Sequence, residues 1–172
     1  DASLRLGPIG ALVCCAGIAQ QKLFQDITDE DWDRMFDINI KGVYRSIQAA
    51  LPYLMKRERS RIVTFSSMWG QVGASCESHY AASKGAVIAL TQSLAKELGP
   101  SGVRVNCVSP GTILTEMTAV LGQETLDALA EETPLERNGS PEDAARAAAF
   151  LCSEAADFIT GQVVAVNGGY IV

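Results

Sequence analysis

At 172 residues the chain has the length of one domain, 1–172, and a formal net charge of −6 leaves no basic face for nucleic acid. Hydrophobic residues make up 48%, yet no apolar run nears the roughly 20 residues that span a bilayer, which excludes a transmembrane helix. Cys14, Cys15, Cys76, Cys107 and Cys152 show no C-x-x-C spacing and His79 is the one histidine, so neither a metal site nor a disulfide framework is expected, and the free thiols fit a reducing cytoplasm.

The opening DASLRLGPIG carries no basic region followed by an apolar stretch, so no signal peptide is expected, and it lacks an initiating Met. IGALVCCAG (9–17) reads as a short strand buried on both faces and ended by Gly17. Thr28 precedes an acidic first turn, as an N-cap should, and a helical period continues through Ile47, Ala50, Leu51 and Leu54. KRERSR (56–61) reads as a solvated helix end, and RIVTFSS (61–67) as a second buried strand. Residues 80–99 form a helix with Val87, Leu90 and Leu94 on one stripe and Gly99 at its end, and His79 is expected to be exposed at its start. A third strand, 103–111, stops at Pro110-Gly111. The helix 140–154 has Ser140 as N-cap, Pro141 at its first position and Asp143 completing a capping box. A last strand covers 161–169. Strands alternating with helices at this spacing predict an α/β fold with a parallel sheet of about four strands and crossover helices.

In such a sheet, function gathers at the carboxyl ends of the strands. Ser66 and Ser67, Pro110-Gly111 and the "CAG" of 15–17 all fall there, as do Tyr80 and Lys84 on the following helix, with Asn39 on a helix beside them. A phenol with an ordinary pKa near 10 is a poor acid or base at neutral pH. An ammonium four residues on, on the same helix face, stabilises the phenolate, and Ala81, Ala82 and Ser83 are small enough to leave the phenol open to a substrate.

Ser67, then Tyr80 and Lys84, with Asn39 upstream, resemble the short-chain dehydrogenase/reductase family. LVCCAG resembles its L-V-N-N-A-G strand end, NCVSPGTILT its N-x-V-x-P-G-x-x-x-T segment, and ITGQVVAVNGG its closing strand. The resemblance implies a Rossmann-like, three-layer, doubly wound parallel sheet. It also implies a reaction in which Tyr80 passes a proton to or from the substrate oxygen, Ser67 hydrogen-bonds that oxygen, and Lys84 holds the nicotinamide ribose and lowers the tyrosine pKa. Asn39 would anchor a water linking Lys84 to solvent. Cys15, Ala16, Gly17, Pro110, Gly111, Ile113 and Thr115 would line the NADP or NAD site together with Tyr80 and Lys84. NADPH is slightly favoured.

Two departures stand out. The family's opening strand and glycine-rich turn have no counterpart here, so only the C-terminal, catalytic portion is expected, and its first strand becomes an apolar edge. Cys14 and Cys15 stand where the family has two asparagines, and Gly10 where an aspartate is common. The nearest resemblance, to 3-oxoacyl-(acyl-carrier-protein) reductases, implies reduction of a 3-oxoacyl thioester, with acyl carrier protein as a possible partner. Support for the carrier protein is thin, since Arg57 and Arg59 flank one helix end but Pro100 and Ser101 the other. The loop at about 112–135 has no guanidinium to grip a charged substrate, and Arg137 follows it. The alternatives are a truncated or proteolysed portion of such an enzyme, inactive alone, and a sugar or polyol dehydrogenase. The resemblance further implies a homo-oligomer, dimer or tetramer, pairing the helices at about 41–57 and 80–98.

Overall fold

The computed structural model describes Arg5 and residues 7–172. Four parallel strands, β1 (Ala11–Cys14), β2 (Ser60–Phe65), β3 (Val103–Pro110) and β4 (Val163–Val166), lie side by side in sequence order. The register is in step: Val13 lies opposite Val63, Val63 opposite Asn106, and Val108 opposite Val164.

After β1 the chain enters α1 (Asp29–Phe36), a π-helical turn (Asp37–Lys41) and α2 (Gly42–Leu54). Helix α3 (Trp69–Val72) and the 21-residue α4 (Ser78–Leu98) join β2 to β3. Between β3 and β4 run α5 (Glu116–Ala119), α6 (Gln123–Glu132) and α7 (Pro141–Cys152).

Two cores sandwich the sheet. On one face Val43, Ile47, Ala50 and Leu54 of α2 and Val87, Ala95 and Leu98 of α4 pack on Cys14, Ile62, Val105 and Cys107. On the other, Ala148 and Leu151 of α7 pack on Val63 and Val108. This is the α/β layering that the alternation predicts.

Several local expectations shift. β1 is an edge strand, and Val13 is 46% exposed, so the strand is not buried on both faces. Helix α4 starts two residues before Tyr80. It continues past Gly99 into a 3-10 turn, and Gly102, at φ +76°, makes the left-handed stop instead. There a Cβ would run into the Glu58 carbonyl oxygen. In KRERSR, residues 56–59 are exposed, but Ser60 and Arg61 already belong to β2. Both N-caps stand: Thr28 and Ser140 exchange hydrogen bonds with Asp31 and Asp143 in full capping boxes. No helix among the described residues is long and apolar enough to cross a membrane.

Candidate active site

β2 delivers two serines with different duties. The ladder with β3 continues past its end, Ser66 N donating to Val108 O and Met68 N to Pro110 O, both at 2.9 Å. Ser66 spends its hydroxyl on the Lys84 carbonyl at 2.8 Å, pinning α4 to the strand end. Ser67 Oγ accepts from Trp69 N at 3.2 Å and acts on the Tyr80 phenol, lowering its pKa.

Tyr80 and Lys84 sit on the first turns of α4, and both are buried, at 9% and 5% exposure. That corrects the expectation of an open phenol: Ala82 is exposed, but Ala81 and Ser83 lie inside with the tyrosine. The Lys84 ammonium stands 5.8 Å from the centre of the Tyr80 ring and donates to Phe65 O at 3.1 Å. Burial therefore decides the titration of both groups. It raises the Tyr80 phenol above its ordinary value of 10.0, against the hydrogen bond from Ser67, with a smaller upward push from Glu77. The lowering expected from Lys84 is not among the causes that act on the phenol. Burial likewise lowers Lys84.

Asn39 is fully buried in the π-turn. Its Oδ1 accepts from Ile18 N at 2.8 Å, and its Nδ2 donates to Ile18 O at 2.9 Å and to Ser83 Oγ at 3.0 Å. Ser83 Oγ in turn donates to Tyr80 O at 2.7 Å. The amide is thus committed to protein partners and braces the loop after β1 against the tyrosine's own backbone. The sequence marks Ser83 only as a small neighbour of Tyr80, although a serine three residues after it is well placed to bond back to that carbonyl.

Gly17 closes the set from β1. A Cβ there would lie 3.1 Å from both Asn39 Oδ1 and Lys84 Nζ, so backbone, amide and ammonium meet at one point. Cys15 and Ala16, just before it, are exposed at the strand's carboxyl end. Across the sheet Gly111 N donates to Val166 O at 3.0 Å, and Ile113 bridges to Gly139. Thr115 is exposed and caps α5, its N–H donating to Thr118 Oγ1 at 3.0 Å. Arg137 is exposed and paired with Asp143 at 2.7 Å. Among the described residues no three His, Cys, Asp or Glu side chains cluster as metal ligands.

A family model described as Enoyl-(Acyl carrier protein) reductase matches residues 1–171. The chain is 39% identical over 168 residues to the 3-oxoacyl-(acyl-carrier-protein) reductase FabG of Thermotoga maritima, covering 98% of this chain and 68% of that one. A short-chain dehydrogenase/reductase from Brucella melitensis, described as a glucose/ribitol dehydrogenase, superposes with a TM-score of 0.94 at 45% identity, over 99% of this chain and 69% of that one. The chain belongs to the short-chain dehydrogenase/reductase family.

Among other members, the Aquifex aeolicus FabG is 44% identical over 161 residues, 94% of this chain and 65% of that one. A gluconate 5-dehydrogenase from Burkholderia cenocepacia, solved with NADP and tartrate, gives a TM-score of 0.94 at 31% identity, over 98% of this chain and 67% of that one. The chain thus spans about two thirds of the length of these short-chain dehydrogenases.

His79 overturns its expectation: it is fully buried, and its Nε2 lies 2.8 Å from Gln20 Oε1. Gln20 is 59 residues away, and no local pattern signals that contact.

Proposed function

We propose that the chain reduces a ketone to a secondary alcohol with a nicotinamide cofactor, and that the ketone is a 3-oxoacyl thioester. The observation that carries this reading is the meeting of Ser67, Tyr80 and Lys84 at the carboxyl edge of β2. All three are held there with little exposure, Ser67 Oγ by Trp69 N and Lys84 Nζ by Phe65 O.

The nicotinamide end of the cofactor fits the residues present. Gly17 brings backbone against Lys84 with no side chain between, and the ammonium there is a donor able to serve ribose hydroxyls. Cys15, Ala16 and Gly17 would flank the cofactor from β1, and Pro110, Gly111, Ile113 and Thr115 from β3. The cofactor would supply hydride to the carbonyl carbon. Ser67 would orient the carbonyl oxygen. Tyr80, kept neutral by burial, would give its phenolic proton to that oxygen as charge develops. Positioned acid catalysis of this kind is typically worth about 10²–10⁴-fold. The Asn39 side chain is already committed, so its part would be to hold the frame. A water relay would have to use main-chain groups freed from the α-helical ladder by the π-turn.

Tyr80→Phe is the test: it should lower kcat for acetoacetyl thioester reduction by at least about 10²-fold with the fold unchanged. Full activity in that variant would overturn the assignment. NADPH is proposed ahead of NADH, and equilibrium binding of each to the 172-residue chain, followed by nicotinamide fluorescence, decides between them. The FabG relatives favour the thioester and, with it, an acyl carrier protein as donor. The two solved dehydrogenases favour a second reading, oxidation of a sugar or polyol. Turnover of acetoacetyl thioester against simple polyols separates the two.

A further inference from the structure

His79 precedes Tyr80 on the first turn of α4, and its surroundings fix its protonation state. Asp31, at the start of α1, accepts from Gln20 Nε2 at 2.9 Å. A carboxylate only accepts, so Gln20 must turn its amide nitrogen to Asp31 and its oxygen to the imidazole. That oxygen also only accepts, so the proton of the neutral ring is on Nε2, which donates to Gln20 Oε1 at 2.8 Å. His79 Nδ1 is buried with no hydrogen-bond partner, a tolerable place for a lone pair and a poor one for the second N–H of a charged ring.

The same short loop is tied to the start of α4 at neighbouring points. Lys22 N donates to Cys76 O at 2.7 Å, and Gln21 Nε2 to Glu77 Oε1 at 3.2 Å. Asp31 anchors the far side, taking Lys22 Nζ at 2.6 Å and Thr28 N at 3.1 Å. One end of the loop, at Ile18, reaches the Tyr80 carbonyl through Asn39 and Ser83. Its middle, at Gln20, reaches the residue just before Tyr80 through His79.

We propose that His79 is a positioning residue for the reaction: as a neutral, Nε2-protonated imidazole it clamps the loop 18–22 to the first turn of α4 and so holds Tyr80 in register with Lys84 and Gly17. This rests on the reductase reading above. Protonation of the ring breaks the fit, because a second buried N–H has no acceptor. The charged groups around the imidazole are Asp31, which favours its charged form, Lys22, which opposes it, and Glu77, held by Gln21 on the same turn. Burial outweighs them and keeps the ring neutral.

The test uses three variants and one spectrum on the same protein. His79→Phe keeps the ring volume and removes the donor. Gln20→Leu breaks the clamp from the half-buried loop and leaves α4 untouched, so it stands in should His79→Phe fail to fold. His79→Gln keeps a donor near the Nε2 position and cannot titrate. The first two should lower kcat about 10- to 100-fold, as small misplacements of reacting groups do, with the cofactor KM unchanged. His79→Gln should restore most of kcat and flatten the acid limb of the pH profile. Nitrogen NMR of the one histidine should show an Nε2–H ring that resists protonation to lower pH than a free imidazole. An Nδ1–H tautomer overturns the proposal. So does a parent-like kcat and pH profile in His79→Phe or Gln20→Leu, or a His79→Gln as slow as the Phe variant. If the parent protein reduces no ketone while the spectrum is as drawn, the reductase reading has failed, and the positioning role with it, although the hydrogen-bonded clamp stands.

Discussion

Gly17 and Gly70 both press on Lys84, and what they press against separates their effects. A methyl at Gly17 would come within 3.1 Å of Asn39 Oδ1 and Lys84 Nζ. Asn39 is held by three hydrogen bonds to Ile18 and Ser83, whereas Lys84 Nζ keeps one, to Phe65 O, so the end of the flexible lysine gives way. Gly17→Ala should therefore lower kcat at least tenfold, while costing less than about 1–2 kcal/mol of stability. A methyl at Gly70 would lie 2.8 Å from the Lys84 carbonyl carbon and 2.7 Å from Ser66 Oγ, neither of which can swing aside. Gly70→Ala should destabilise by about 1–3 kcal/mol or more in thermal unfolding, whatever it does to rate. Equal effects of the two changes on stability would mean that Lys84 is not the mobile partner. That Ser67, Tyr80 and Lys84 lie near one another was legible, because Ser67 follows a strand end and Tyr80 and Lys84 share one helix face. Their burial was not, because cover arrives from segments far off in the chain. The same holds for His79, whose partner lies 59 residues upstream.

At the scale of elements, what could be read was what is local. The N-caps at Thr28 and Ser140 have their partners within three residues and are present as expected, and at Thr28 Asp31 completes a capping box as well. Ser140→Ala removes the side chain that accepts from Asp143 N, and should cost about 1 kcal/mol in denaturant unfolding with kcat unchanged. A fall in kcat would tie α7 to the site more closely than its packing on Val63 and Val108 suggests. The π-turn at Asp37–Lys41 was hidden in a continuous helical period. Within it Asn39 pairs with Ile18, 21 residues away, and periodicity carries no trace of that pairing. β1 was misjudged for a related reason. Its apolar sequence suits a strand covered on both faces, but among the described residues its cover comes from the side of α2 and α4, and Val13 is exposed.

For the molecule as a whole, the alternation of strands and helices gives a parallel sheet with crossover helices, and the acid response follows from how charge is buried within that frame. His79 titrates ordinarily at 6.5, and burial lowers it in the folded state. Between the two values the unfolded chain binds a proton that the native chain refuses, so stability is full above about 6.5 and is lost as pH falls through the folded value. Asp31 and Asp143 act with the same sign at lower pH. Hydrogen bonds from Lys22 and from Arg137, the leading causes, hold them far below the ordinary 3.8, so their contribution is present above that value and lost beneath it. Glu77 acts the other way, because burial raises it, and its contribution is present below 4.5 and lost as pH rises through its folded value. The Tm of the parent protein should accordingly fall in two stages on acidification, the first beginning near about pH 6.5 and the second below about pH 4. His79→Gln should remove the first stage and keep the second. A Tm that stays level down to about pH 5 in the parent, or a first stage that survives in His79→Gln, would mean that the buried imidazole does not govern the upper transition.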